Sequence, residues 1–421
     1  MGEMSDLIEN VVSFLADEEA LRFSESPWPT VPPEEQATPI DWHTGFPPRS
    51  RRPPMDGEPL VEAVAQAMVT EGGFEDDAIL NPHWNSDNDP WHVDLPEDLI
   101  GAIREAIENP ERYREPERGL RVDVCAWYQP IHFFGHDWGI YSREDCLKAM
   151  AVQIAAYVSR RPGAIAAPVQ ASLAKACLRG ALGLYFLHEQ YHHKTECFGI
   201  RNHVVLSRQV YVPYFSAVYL KLKGTDDHLE EALPNADIWH RLGTRPYSFW
   251  LGATVLKATR DLLKATFPHE PPGYRKAVDH LEKAAFDTAE NLLQGQIHGS
   301  SPNPKLAVSR WDIAPRMLQS FLPITSDIYT VVPAGTTSVL GAAVTPAKTC
   351  STRELVSLLK LQGWIEVDGG KGSHVKLKKP NAPTIILPGN RKDLSPGVMK
   401  YVLRILGGYS LSDLPALLSA N

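Results

Sequence analysis

The chain has 421 residues, 43% of them hydrophobic, too long for one average domain and rich enough to bury two separate cores. No basic cluster opens the acidic start Met1 to Asn10, and no window of about 18 uninterrupted apolar residues follows, which argues against secretion and a membrane span. Five cysteines (Cys125, Cys146, Cys177, Cys197, Cys350) are odd in number, scattered and without CxxC spacing, so neither a disulfide framework nor a cysteine zinc ribbon is expected, and a reducing cytoplasm fits. The net charge of −9 conceals a division: from Ser351 onward there are ten Lys/Arg against five Asp/Glu, a surplus of five that leaves −14 for the rest. A basic tail on an acidic body can bind a polyanion, and the body can cover the tail when no polyanion is present.

Residues 1–56 read as an N-terminal arm and Pro-rich linker. Ser24 to Met55 hold nine prolines together with Arg49, Arg51 and Arg52, a composition that propagates neither helix nor central strand. Residues 57–331 read as one helix-rich domain. Amphipathic segments lie around Leu60 to Val69 and Glu97 to Ile107, and the apolar, aromatic runs Val122 to Phe134 and Trp138 to Tyr141 predict strands. Ser142 with Asp145 predicts a variant capping box opening a helix to about Val158, stopped by Arg161-Pro162-Gly163. A second long helix is expected from Val169 to Phe198, and further helices over Leu229 to Leu242, Ser248 to Thr266 and Tyr274 to Leu293.

The Val169 to Phe198 segment contains His188-Glu189-Gln190-Tyr191-His192, an HExxH motif. On a helix the two histidines lie one turn apart on one face, about 6 Å along the axis, so both imidazoles can reach one zinc ion. Glu189 beside them is placed to act as general base of a hydrolysis. The apolar lead-in Leu184 to Leu187 and the preceding strands resemble a zincin metallopeptidase. Metzincin spacing would require glycine at Thr195 and histidine at Phe198, which excludes that branch. The run Leu229-Glu230-Glu231-Ala232-Leu233-Pro234-Asn235 resembles the second helix of gluzincins, which implies Glu231 as third ligand and Asn235 as the residue orienting the ligands from behind. Pro234 stands where that family has a small residue, and Glu230, Glu196 and His203 remain alternatives to Glu231. His193, His132 and His136 are read as supporting, core or turn residues.

Val332 to Thr349, small residues with Gly and Pro and no amphipathic period, is expected to be the linker to a last domain, 350–421. There Arg353 to Gln362 predicts a helix ended by Gly363, and Trp364 to Val367 a strand. Asp368-Gly369-Gly370 is a turn, and Ser373 to Lys379 a strand alternating Val375 and Leu377 with His374, Lys376 and Lys378. A strand at Thr384 to Leu387 and a helix from Ser395 and Pro396 to Gly407 complete the order α-β-β-β-α.

The runs "STRELVSLLKLQGWIEVDGGKGSHVKLKKP", "TIILPGN" and "LSPGVMKYVLRILGG" resemble the HicA family of mRNA interferase toxins over about the last 70 residues. The resemblance implies a fold similar to a double-stranded-RNA-binding domain, RNA as substrate and a separate antitoxin as partner. It also implies that the histidine of the Gly-Ser-His segment, His374, is required for cleavage. That chemistry needs no metal: a ribose 2′-hydroxyl attacks its own phosphate, an imidazole moves the proton, and Lys371, Lys376 and Lys378 offset phosphate charge.

The expected fold class is therefore α+β: a helix-rich zincin-like domain with a small mixed sheet, then the HicA-like domain. The expected function is an RNA endonuclease fused to a zinc-dependent protease that restrains or releases it, with the protein's own linker as one candidate substrate. The alternative is a metalloprotease whose tail grips RNA without cutting it.

Overall fold

A computed structural model of the chain describes residues 2–23, 28–40, 95–158, 167–302, 327–340, 350–367, 374–380, 382–389, 394, 396–407, 409 and 414–419. Outside these residues lie the arginines of the Pro-rich arm, the Leu60 to Val69 segment, Arg161-Pro162-Gly163, residues 341–349 of the expected linker, Asp368-Gly369-Gly370, Lys371, Ser373 and Ser395. In chain order the body contains helix α1 (Gly2–Asp17), strand β1 (Glu35–Pro39), helix α2 (Glu97–Glu108), and strands β2 (Ala126–Gln129) and β3 (Gly139–Arg143). It continues with helices α3 (Glu144–Ala156), α4 (Ala167–Leu206), α5 (Leu229–Leu242), α6 (Arg245–Thr266) and α7 (Lys283–Gly299), and strand β4 (Ile328–Pro333). The tail holds helix α8 (Thr352–Leu361), strands β5 (Ile365–Val367), β6 (His374–Lys378) and β7 (Ile385–Pro388), and helices α9 (Pro396–Ile405) and α10 (Leu414–Ser419).

The body sheet has the order β1-β4-β3-β2, with β3 and β4 parallel and the outer pairs antiparallel, so it is mixed as expected. Side chains alternate across it. Tyr128, Ile140 and Ile328 enter the main core with the helices, whereas Trp127, Tyr141, Tyr329 and Val331 form a smaller cluster covered by Trp28, Val31 and Ala37. The proline-rich arm is thus partly structured. Val11, Val12, Leu15, Ala20 and Ile40 belong to the main core, and β1 sits at the sheet edge, where its proline removes no ladder hydrogen bond from a central strand. The expected linker starts late for a similar reason: Val332 and Pro333 still pair with Gln36 and Glu35, and Ser338 and Val339 donate hydrogen bonds to Glu144.

Two further expectations are corrected. The Val122 to Phe134 run is extended only at β2; helical turns at Val122–Cys125 and Ile131–Phe134 flank it, the second opened by Pro130, which has no N–H for a strand ladder. No side-chain cap is made by Ser142, because α3 begins beyond Arg143. The expectation of unpaired cysteines is also corrected: Cys125 and Cys146 form a disulfide across 21 residues, Cα to Cα 5.5 Å, while Cys177, Cys197 and Cys350 are not disulfide-bonded. Antiparallel pairing of Ala126 with Ser142 returns the chain beside its own start, a closure that linear spacing does not reveal.

Helix α4 spans 40 residues, about 60 Å at 1.5 Å per residue, and is buried on nearly all sides from Cys177 to Val204. It passes through Gly199 without a break. A Cβ there would lie 2.8 Å from the Cβ of Tyr211, so this glycine serves close packing rather than termination. The tail has its own core, in which Leu355, Leu359, Leu377, Ile385, Leu387 and Val402 are fully buried. Its first helix opens with a reciprocal Ser351/Glu354 capping box, and α10 adds one helix to the expected order. No helix of the described residues is long and apolar enough to cross a membrane.

Buried Glu270 accepts a hydrogen bond from Leu120 N, and burial pushes its carboxyl up to about 7. A raised folded-state pKa contributes stability at pH below the unfolded value, and that contribution is lost as pH rises through about 7. Glu270→Gln should therefore gain on wild type between pH 5 and pH 8 by roughly 1–3 kcal/mol in denaturant unfolding. An unchanged difference between the two proteins at the two pH values would count against this assignment.

Candidate functional site

The HExxH motif occupies the middle of α4, where His188, Glu189 and His192 are 1%, 3% and 3% exposed. Helix α5 brings Glu231, 3% exposed, against it. The two imidazole Nε2 atoms stand 3.3 Å apart, and Glu231 Oε2 lies 3.5 Å from each. Tetrahedral zinc ligands about 2.0–2.1 Å from the ion are separated by about 3.3 Å, so this triangle has the dimensions of one face of such a site. Glu231 Oε2 is buried and accepts no hydrogen bond, as a lone pair facing a cation would. Among the described residues these three side chains form the one cluster able to hold a metal ion.

Each of the three side chains is held from behind. His188 Nδ1 donates to Asn235 Oδ1 at 2.9 Å, and this tautomer leaves Nε2 as an acceptor. His192 Nδ1 donates to Glu230 Oε1 at 3.2 Å, and Tyr214 donates to the other oxygen of Glu230. Both oxygens of Glu230 are thereby engaged by His192 and Tyr214. Tyr219 Oη donates to Glu231 Oε1 at 2.7 Å, turning Oε2 toward the histidines. Tyr214 and Tyr219 were not foreseen; the first precedes and the second ends a turn of π-helix, Phe215–Tyr219, for which the sequence carries no periodic signal.

Electrostatics follow from burial. Burial alone raises the Glu231 carboxyl, but His192 and His188 outweigh it and hold the group well below the usual carboxylate range. Burial pushes Glu189 up to about 7, with His188 and His192 opposing and Glu231 and Asp123 adding. A carboxyl near neutrality can both take and return a proton. Tyr274, expected only as the start of a helix, stacks on His188 with centroids 5.7 Å apart and donates its hydroxyl to Asp123.

The other candidate ligands lie elsewhere. Glu196 accepts from His132 Nδ1 at 2.6 Å, from Tyr128 Oη, and from the backbone N–H groups of Ile131 and His132, so its lone pairs are used in fixing the chain after β2. His203 stays on α4 because Gly199 does not end the helix, and its ring meets Phe14 at 5.1 Å. His193 contacts Tyr128, and His136 stacks on Tyr401 of the tail at 3.7 Å.

In the tail, His374, Lys376 and Lys378 share one face of β6, while Leu377 points into the core. The ring of Phe23 lies 3.8 Å from that of His374. Lys376 and Lys378 reach the C-terminal end of α1.

Asn235→Ala should weaken zinc affinity roughly 10–100-fold, since the His188 ring loses its orienting acceptor. His203→Ala should leave the zinc content at the wild-type level. Competitive chelator titration followed by metal analysis checks both, and equal affinities for wild type and Asn235→Ala would oppose the assignment.

No curated protein and no solved structure matches the chain. Residues 352–407 match the family described as HicA toxin of bacterial toxin-antitoxin; the match covers α8 to α9 and leaves the helical body outside it.

Proposed function

We propose that the chain is a toxin-antitoxin type mRNA interferase, an RNA endonuclease, joined to a zinc-dependent peptidase domain. The observation that carries the nuclease half is the HicA family match together with His374, Lys376 and Lys378 on one strand face. RNA supplies its own nucleophile. As the 2′-oxygen bonds to the adjacent phosphorus its proton passes to a base, and the 5′-oxygen of the next nucleotide leaves with a proton. His374 is the proton carrier, and the lysines offset the phosphate charge.

The peptidase half rests on the triangle of His188, His192 and Glu231, the residues that would hold zinc. Zinc, when bound, supplies Lewis acidity toward a carbonyl oxygen. Glu189 moves the proton, and Asn235, Glu230 and Tyr219 keep the ligand atoms aimed. The substrate we favour is the small-residue segment 341–349 between the two cores, whose cleavage frees the tail. A separate antitoxin is the expected partner of the freed tail.

Because residues 350–421 carry a core of their own, they can be assayed alone. In chelator at neutral pH they should cleave RNA, and His374→Ala should lower the rate at least about 100-fold. RNA bound but left whole by both forms would favour the binding-only alternative. Full-length protein supplied with zinc should shed its tail while Glu189→Gln stays intact; two uncut chains would remove the peptidase half.

A further inference from the structure

The face of β6 that carries His374 is covered by the chain's own N-terminal segment. Phe23 lies flat on the His374 imidazole, centroids 3.8 Å apart and planes 14° from parallel. Proteins that take up single-stranded RNA stack its bases on aromatic and histidine rings in this manner. Asp17, the last residue of α1, puts one carboxylate oxygen 3.2 Å from Lys378 Nζ and 3.7 Å from Lys376 Nζ. An anionic oxygen shared by two ammonium groups is the contact a phosphate would make there. Lys376 Nζ also donates to the Ala16 carbonyl at 3.3 Å, where the negative end of the α1 dipole adds to the attraction. A second stack, His136 on Tyr401, also joins the tail to the body.

We infer that the segment from Asp17 to Phe23 is a built-in RNA mimic, with the aromatic ring in place of a base and the carboxylate in place of a phosphate. RNA and this segment then compete for one surface, and the tail is held inactive while docked. The contact is made for release. Among the described residues the two hydrophobic cores do not merge, and the Asp17–Lys378 pair is half exposed, the kind that contributes little and weakens with salt. Competition of this kind restrains the tail without a second protein. The inference rests on the reading of His374 as an RNA-cleaving residue.

The test uses the full chain. Wild type, Phe23→Ala with Asp17→Ala, and the single variant Asp17→Lys at a half-exposed position are compared. Binding is read by anisotropy of a labelled 2′-O-methyl oligonucleotide, which cannot supply the attacking hydroxyl, and cleavage with the unmodified oligonucleotide. Both variants should bind at least tenfold tighter and cleave at least tenfold faster than wild type, and adding His374→Ala should abolish cleavage while the tighter binding persists. Wild type that binds and cleaves as well as the variants overturns the mimicry and leaves the nuclease reading standing. Variants that melt like wild type yet neither bind nor cut overturn both.

Discussion

The body is organised by one constraint: α4 carries His188, Glu189, His192, His193 and Glu196 through an interior where each is at most 3% exposed. An unpaired polar or charged group in that setting costs several kcal/mol, so partners must be brought from other elements. Glu196 draws in the turn after β2 through His132, Tyr128 and two backbone N–H groups. His188 and His192 draw in α5 through Asn235 and Glu230. The π-turn is drawn in through Tyr214 and Tyr219. Among the buried atoms this pairing leaves without a partner is Glu231 Oε2, which faces two imidazole nitrogens, an arrangement with room for a cation in the proposed reading.

The tail obeys a different rule. Its short helices and small sheet bury an aliphatic core that leaves one strand face basic, and that face meets the acidic end of α1 rather than open water. Opposite charges on body and tail, visible already in the residue counts, are thereby used inside the chain. The proposed nuclease and the proposed peptidase are consequently linked by geometry as well as by sequence. Cutting the segment between the cores removes the tether that keeps the tail near α1.

Much of this was legible in the residues. HExxH spacing placed two imidazoles on one helical face, the Glu231 to Asn235 interval put a carboxylate and an amide within reach of them on a second helix, and strand alternation set His374 beside Lys376 and Lys378. The choice among Glu231, Glu230, Glu196 and His203 was not, because it depends on which lone pairs are already used by distant groups such as Tyr214 and His132. The Cys125–Cys146 bond and the edge strand β1 escaped for a related reason: both are made by long-range pairing. Phe23 sits in a proline-bounded arm without periodicity, so nothing local announces its contact with a ring 351 residues later.

The most direct measurement of the central claim is X-ray absorption at the zinc edge of the purified full-length protein. The account predicts one zinc per chain with two imidazole nitrogens and carboxylate oxygen at about 2.0–2.2 Å and no sulfur. A protein that retains no zinc, or a spectrum with sulfur near 2.3 Å, would contradict a His188, His192, Glu231 centre.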